Sequence, residues 1–162
     1  MSYVPPHRKQ PEIRYKSIII PTIGGKYVVV KDAKSQDVTF IGGGCGKKET
    51  IHNCAIRELS EETRKSITIN RLPVKPTFSF TSQERFSNNE RKDNKARGII
   101  VTMVYNVFIV DMGTLLFSDV KHKFNSSSIR NETNNIFLMN RGNLVESKMW
   151  DFMRRHILPK LK

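Results

Sequence analysis

The sequence predicts a single α/β (α+β) sandwich, and three observations carry that expectation. Short β-branched or aromatic runs recur through the first two thirds of the chain. One segment in their midst, residues 49–64, follows a helical period instead. A second helical pattern closes the chain at ESKMWDFMRRHILPKLK, where Trp150, Met153 and Ile157 recur at helical spacing. Strands gathered around one central helix, with another at the end, pack as layers on a shared core. At 162 residues there is room for one such domain, and neither a repeat nor a second domain is visible.

Residues 1–14 hold three prolines and mixed charges, and they read as a flexible basic arm that leaves 15–162 as the domain. KSIII (16–20), KYVVVK (26–31) and DVTFI (37–41) read as strands, the first two joined by a hairpin turn at Gly24-Gly25. SITI (66–69) and PTFSFTS (76–82) continue the series. QERFSNNERKDNKARG (83–98) is polar and alternately charged, which marks an exposed loop. Residues 99–110 form a long strand, 111–135 show no single period, and IFLM (136–139) is a last short strand. The most apolar window, 98–112, is broken by Thr102, Asn106 and Asp111. It falls short of the roughly 20 apolar residues that span a bilayer, so no membrane insertion is expected.

Charge is the outlier: 28 Lys+Arg stand against 15 Asp+Glu, a net of +13. Such an excess favours anionic partners such as nucleic acid, polyphosphates or acidic lipid heads. Cys45 and Cys54 are too few for a disulfide scaffold and miss the spacing of a zinc site. Reduced thiols and a cytoplasmic location are the simplest expectation, and MSYVPPHRKQPEIRYK lacks the apolar core of a signal peptide.

Against that basic background, GGGCGKKETIHNCAIRELSEETRK (42–65) gathers Glu49, Glu58, Glu61 and Glu62. With about 100° per residue and Ile51 at zero, Ala55, Leu59 and Ile56 fall at about 40°, 80° and 140°, an apolar stripe for the core. Glu58, Glu61 and Glu62 fall at about −20°, −80° and +20°, beside that stripe rather than opposite it. Like charges at these spacings cost a helix a few tenths of a kcal/mol each. Hard oxygen ligands on one face suit a divalent cation such as Mg²⁺. Arg57 can pair with Glu49 or Glu61 and hold the loop–helix junction, and the glycines let backbone carbonyls approach a metal. A nucleotide P-loop is excluded, because Ile41 and Lys48 occupy its required Gly and Ser/Thr positions.

Gly43, five residues, Glu49, seven residues, then Arg57-Glu58-Leu59-Ser60-Glu61-Glu62 resembles the Nudix box, GX5EX7REUXEEXGU. The match departs at its end, where Arg64 stands for the usual Gly and Lys65 for an apolar residue. The resemblance implies a Nudix-type α/β/α sandwich with a mixed sheet and a C-terminal helix. It also implies a phosphoanhydride hydrolase dependent on Mg²⁺ or Mn²⁺. Carried over by position, Glu61 and Glu62 would be metal ligands, Glu58 a ligand or the general base, and the Gly42 carbonyl a further ligand. Glu49 and Arg57 would orient those ligands, and Glu132 is the candidate for a downstream catalytic carboxylate.

The box itself (Glu49–Glu62) sums to −3, whereas residues 1–31 sum to +5 and 147–162 to +4. Cations spread over a surface suit a polymer backbone through counterion release. Lys47, Arg85 and Phe86 are the candidate substrate contacts, with Phe78 and Phe80 as core residues that could also stack a base. The expectation is therefore hydrolysis at the 5′ end of RNA, that is, mRNA decapping with release of methylated guanosine diphosphate. The small basic chain is similar to Nudix proteins of large DNA viruses. Alternatives are hydrolysis of diphosphoinositol polyphosphate, ADP-ribose or a dinucleoside polyphosphate, or a catalytically weak RNA-binding module.

Overall fold

A continuous apolar run, Ile18 to Ile20, lies buried on both faces of the first strand and makes it the centre of a sheet. The computed structural model describes residues 12–85, 100–127 and 134–162. Strand β1 (Glu12–Ile23) turns through Gly24 and Gly25, at φ 57° and 78°, into β2 (Lys26–Asp32). Thr22 pairs Tyr27 and Ile23 pairs Lys26, the register of a two-residue hairpin whose positive φ angles glycine adopts freely.

Strands β3 (Val38–Thr39) and β4 (Ile41–Gly44) precede helix α1 (Ile51–Glu62), and β5 (Phe78–Arg85) and β6 (Ile100–Asp111) follow it. Helix α2 (Phe117–Ser126), β7 (Asn134–Met139), α3 (Arg141–Glu146), α4 (Asp151–His156) and a 3-10 turn (Leu158–Lys160) complete the order. The sheet is mixed, in the order β3-β2-β1-β6-β5, with β7 on β2 and β4 on β1. β1 runs parallel to β6 and antiparallel to β2 and β4. One of its edges is therefore divided between two partners: β4 at Lys16–Ile19 and β2 at Thr22–Ile23.

Two apolar layers flank the sheet. Ile19, Val28, Val30, Ile41, Phe108 and Ile136 pack under α1 and α2 through Ala55, Leu59, Val120 and Phe124. Ile18, Ile20, Val29, Met103, Tyr105 and Val107 pack against Leu144, Ile157, Leu158 and Leu161 from the C-terminal segments. The result is the α/β/α sandwich expected, with the box helix in one outer layer.

Several local expectations are corrected. Strand β1 already begins at Glu12, since Glu12, Ile13 and Arg14 pair with Val101, Thr102 and Met103, while the rest of the segment read as an arm lies outside the described residues. SITI (66–69) is not a strand: Arg64 and Lys65, at φ 52° and 62°, reverse the chain and drop Ile67 into the core beneath α1. Strand β5 runs on to Arg85, into the segment expected as loop. Residues 117–126, within the stretch without a clear period, form α2 around Val120 and Phe124 at i, i+4. The closing helix expected over 146–162 is two short pieces, α4 and the 3-10 turn, and α3 stands just ahead of it. Asn140 and Asn143 cap α3 reciprocally, and Pro159 ends helical continuation beyond α4. Trp150 consequently sits at the N-cap of α4, 60% exposed, rather than on a buried stripe.

Candidate active site

Helix α1 begins where Thr50 accepts a hydrogen bond from the Asn53 N–H at 3.0 Å. Cys54, Ala55 and Leu59 are buried, so the glutamates beside them are pressed against the glycine strand β4. Glu58 and Glu62 are half-buried and Glu61 is exposed. Gly43 lies so close to Glu58 that a Cβ there would overlap the carboxylate, which gives this glycine a steric reason. The Gly42 N–H donates to Glu62 Oε1 at 3.3 Å.

Arg57 organises the rest. Its Nε and Nη2 donate to the two oxygens of Glu49 at 2.8 and 3.0 Å, a bidentate pair. Its Nη1 donates to Glu58 Oε1 at 2.9 Å and Glu61 Oε2 at 3.2 Å, and its Nη2 to the Gly44 carbonyl at 3.1 Å. The sequence left open whether Arg57 meets Glu49 or Glu61; it meets both. The Arg57 hydrogen bonds, reinforced by the Gly46 N–H, hold the Glu49 carboxyl at about 2 against an ordinary 4.5. Glu49 in turn raises the already high value of Arg57.

The carboxylates of Glu58, Glu61 and Glu62 line one cavity of about 370 Å³ together with Gly42, Gly43, Lys16, Thr39, Tyr105, Asn134, Trp150 and Met153. Hard oxygens converging on one cavity form a donor set that fits Mg²⁺ or Mn²⁺. They are not drawn into a tight cluster: Glu58 and Glu61 lean to Arg57 and Glu62 to the Gly42 N–H. Among the described residues, the trio of His, Cys, Asp or Glu with all ligand atoms within 4.8 Å is Cys45, Glu49 and Cys54. Its two cysteines form a disulfide, with Cα atoms 5.3 Å apart. The reduced pair expected from composition is thus corrected, because β4 seats Cys45 directly over the buried side of α1 where Cys54 points. Sulfur in a disulfide offers no thiolate to a metal.

The turn that closes the helix uses non-glycine residues in left-handed conformations, at a cost of about 1–2 kcal/mol each. Arg64 offsets part of this. Its guanidinium lies 4.0 Å from the centre of the Phe124 ring and its Nη1 donates to the Phe124 carbonyl at 3.4 Å, tying α1 to α2.

Other sequence candidates fall elsewhere. Lys47 is exposed and lines a neighbouring groove rather than the cavity. Phe86 and Glu132 lie outside the described residues, as does the side chain of Arg85. Phe80 belongs to an aromatic layer, stacked 4.9 Å from Tyr105 and 4.8 Å from His156, with Phe78 alongside. Sequence reasoning passed over Lys16, Tyr105, Asn134 and Trp150. The one available signal was a single tryptophan in a basic segment, and its helical spacing pointed to the core instead.

The NUDIX domain model matches residues 14–122. The chain belongs to the Nudix family. Nudix hydrolases generally use divalent metals, in keeping with the cavity's oxygen donors. A relative is the mRNA-decapping protein D9 of Rabbit fibroma virus (strain Kasza), 33% identical over 97 residues. That match covers 56% of this chain and 47% of D9, so it spans about half the length of the relative. Among solved Nudix folds, the MutT protein from Bacillus halodurans superposes with a TM-score of 0.52 at 16% identity, covering 90% of this chain and 82% of that one. A C. elegans Ap4A hydrolase in a binary complex gives 0.51 at 15% identity, covering 92% and 93%. At these identities the likeness is one of fold. Among the described residues no helix is long and apolar enough to cross a membrane.

Proposed function

We propose that this Nudix hydrolase removes the 5′ cap of RNA. The observation that carries the reading is a shared cavity. Three box glutamates line it together with an exposed tryptophan and a lysine, in a chain of net charge +13. A reaction at a capped end needs a phosphoanhydride site, an aromatic face for a base and cations for the chain that follows. The relative's name, mRNA-decapping protein, points the same way.

In this reading water attacks a phosphorus of the triphosphate bridge and the bridging P–O bond breaks. Methylated guanosine diphosphate leaves, and RNA keeps a 5′-monophosphate. Glu58, Glu61 and Glu62, with the Gly42 carbonyl, would hold Mg²⁺ or Mn²⁺. Bound there, such an ion would supply charge neutralisation for the pyrophosphate and a lowered pKa for the attacking water. Arg57 fixes the Glu58 and Glu61 carboxylates, and Glu49 fixes Arg57. The Trp150 ring, already stacked 4.9 Å from Phe152, offers its exposed face to the cap base. Lys16 faces the phosphates from β1.

The test is a panel of capped RNA, diphosphoinositol polyphosphate, ADP-ribose and diadenosine polyphosphate, each with Mg²⁺ and with Mn²⁺. Release of methylated guanosine diphosphate as the fastest reaction is the expected result. Faster turnover of any of the small substrates overturns the cap reading and leaves the hydrolase intact.

A further inference from the structure

Cys45, Glu49 and Cys54 bring two sulfurs and a carboxylate oxygen within 4.8 Å of one another, and none of the three lines the carboxylate cavity. The cysteines stand nine positions apart, too far for the short Cys-to-Cys turn of a zinc motif. Packing of β4 on α1 nevertheless brings their Cα atoms to 5.3 Å. As a disulfide the pair binds no metal. As two thiols it sets soft ligands beside a hard one, a combination that selects Zn²⁺ over Mg²⁺.

The geometry suits that ion. A tetrahedral Zn²⁺ holds two sulfurs about 3.8 Å apart and a sulfur and an oxygen about 3.6 Å apart, both inside the observed spread. Three protein ligands leave the fourth position to water. Water has a route, because Cys45 and Glu49 are half-buried and line an open groove of about 1390 Å³, whereas Cys54 is fully buried. The two ligands on the groove side are already braced. The Cys45 N–H donates to the Tyr15 carbonyl at 2.9 Å, and Glu49 Oε1 accepts from the Gly46 N–H at 3.1 Å and from Arg57 at 3.0 Å.

Charge balances as well. Zn²⁺ with two thiolates and one carboxylate sums to −1, beside the +1 of Arg57, whose Nε lies 2.8 Å from Glu49 Oε2. That negative charge falls at the start of α1, which favours an anion and carries no acidic residue in its first turn.

We propose that, once the bridge is reduced, Cys45, Cys54 and Glu49 bind one Zn²⁺, and that this ion takes over the fastening of β4 to α1. Two small thiols supply the electrons. The S–S bond breaks, two protons pass to the cysteine sulfurs, and the reductants leave joined as their own disulfide. Zn²⁺ then displaces those two protons, forming two Zn–S bonds and one Zn–O bond. The site fills independently of any ion at Glu58, Glu61 and Glu62.

The test uses the full chain, reduced with a phosphine and desalted without air, in excess Mg²⁺ to occupy the oxygen-lined cavity. Co²⁺ is the probe, since bonding to thiolate gives a sulfur-to-cobalt charge-transfer band that oxygen ligands do not. The reduced protein is expected to develop that band with one equivalent of Co²⁺ and to lose it to Zn²⁺, and the oxidised protein to show none. Zn²⁺ should restore at least about half of the melting temperature that reduction removes. Glu49→Gln should weaken Co²⁺ binding at least about 10-fold, and Cys45→Ser/Cys54→Ser should abolish the band. A reduced, folded parent without the band overturns the site, and so does Glu49→Gln binding Co²⁺ as tightly as the parent. A melting temperature that Zn²⁺ leaves unchanged overturns the fastening. Should reduction alone erase the helical circular dichroism, its return with one equivalent of Zn²⁺ is expected, and failure to return overturns the site.

Discussion

Arg57 grips Glu49 through both oxygens while a third nitrogen reaches Glu58, so one guanidinium joins the glycine loop to the cavity wall. Lysine, a point charge, cannot reproduce that fork. Arg57→Lys should lower metal-dependent turnover by about 10–100-fold, with a matching rise in the Mg²⁺ concentration needed for half-activity. Metal titrations of turnover check this, and an unchanged half-saturating Mg²⁺ concentration removes the positioning role.

The same pair sets an acid limit on stability. The folded value of Glu49, about 2, lies below its ordinary 4.5. Its stabilisation is therefore complete above the ordinary value and is lost as pH falls towards the folded one. Glu49→Gln should melt about 2–4 °C below the parent at pH 7, the effect of about 1 kcal/mol in a domain this size. The gap should close near pH 2. Thermal melts across that range measure it, and a gap that persists at the acid end contradicts the assignment.

Gly43 is held bare by Glu58. Adding a methyl group in Gly43→Ala forces the carboxylate aside, and a misplacement of about 1 Å can cost about 10²-fold in rate. The expected variant is folded, less stable by about 1–3 kcal/mol, and nearly inactive. Gly44→Ala serves as the control, since nothing lies within 4 Å of a Cβ at that position. Comparable losses in both variants would remove the steric account.

Trp150 separates base recognition from chemistry. Loss of a stacking face costs about 1–3 kcal/mol per base, so Trp150→Ala should raise KM for capped RNA by about 5- to 150-fold with little change in kcat. Trp150→Phe should restore most of the affinity. A kcat effect as large as the KM effect would place the ring in another role.

The Cys45–Cys54 bridge fastens the end of β4, the strand that carries Gly43, to the helix that carries Glu58. Closing so short a loop is worth about 2–3 kcal/mol, which corresponds to a melting shift of up to about 10 °C. A dithiol reductant should lower the melting temperature by that order, and Cys45→Ser/Cys54→Ser should match the reduced parent. Alkylation followed by mass measurement counts the free thiols directly, and two adducts on the unreduced protein would refute the bridge.

The sequence by itself determined the layers, the box helix and the chemistry of its acidic side. Those features are local: a 3.6-residue period, a glycine run and the charge order from Glu49 to Glu62 are written in contiguous residues. Only the tertiary structure decided what surrounds them. Trp150, Asn134, Tyr105 and Lys16 stand far apart along the chain. They meet the glutamates where the edge of β1 is divided between β2 and β4. The disulfide is of the same kind, since strand pairing and helix packing bring its two sulfurs together. Periodicity even misdirected the reading of Trp150: its spacing fits a helix face, but the backbone begins α4 only after it and leaves the ring in water. Local pattern fixes what each segment can be, whereas burial and register, which depend on distant partners, select which side chains share a site.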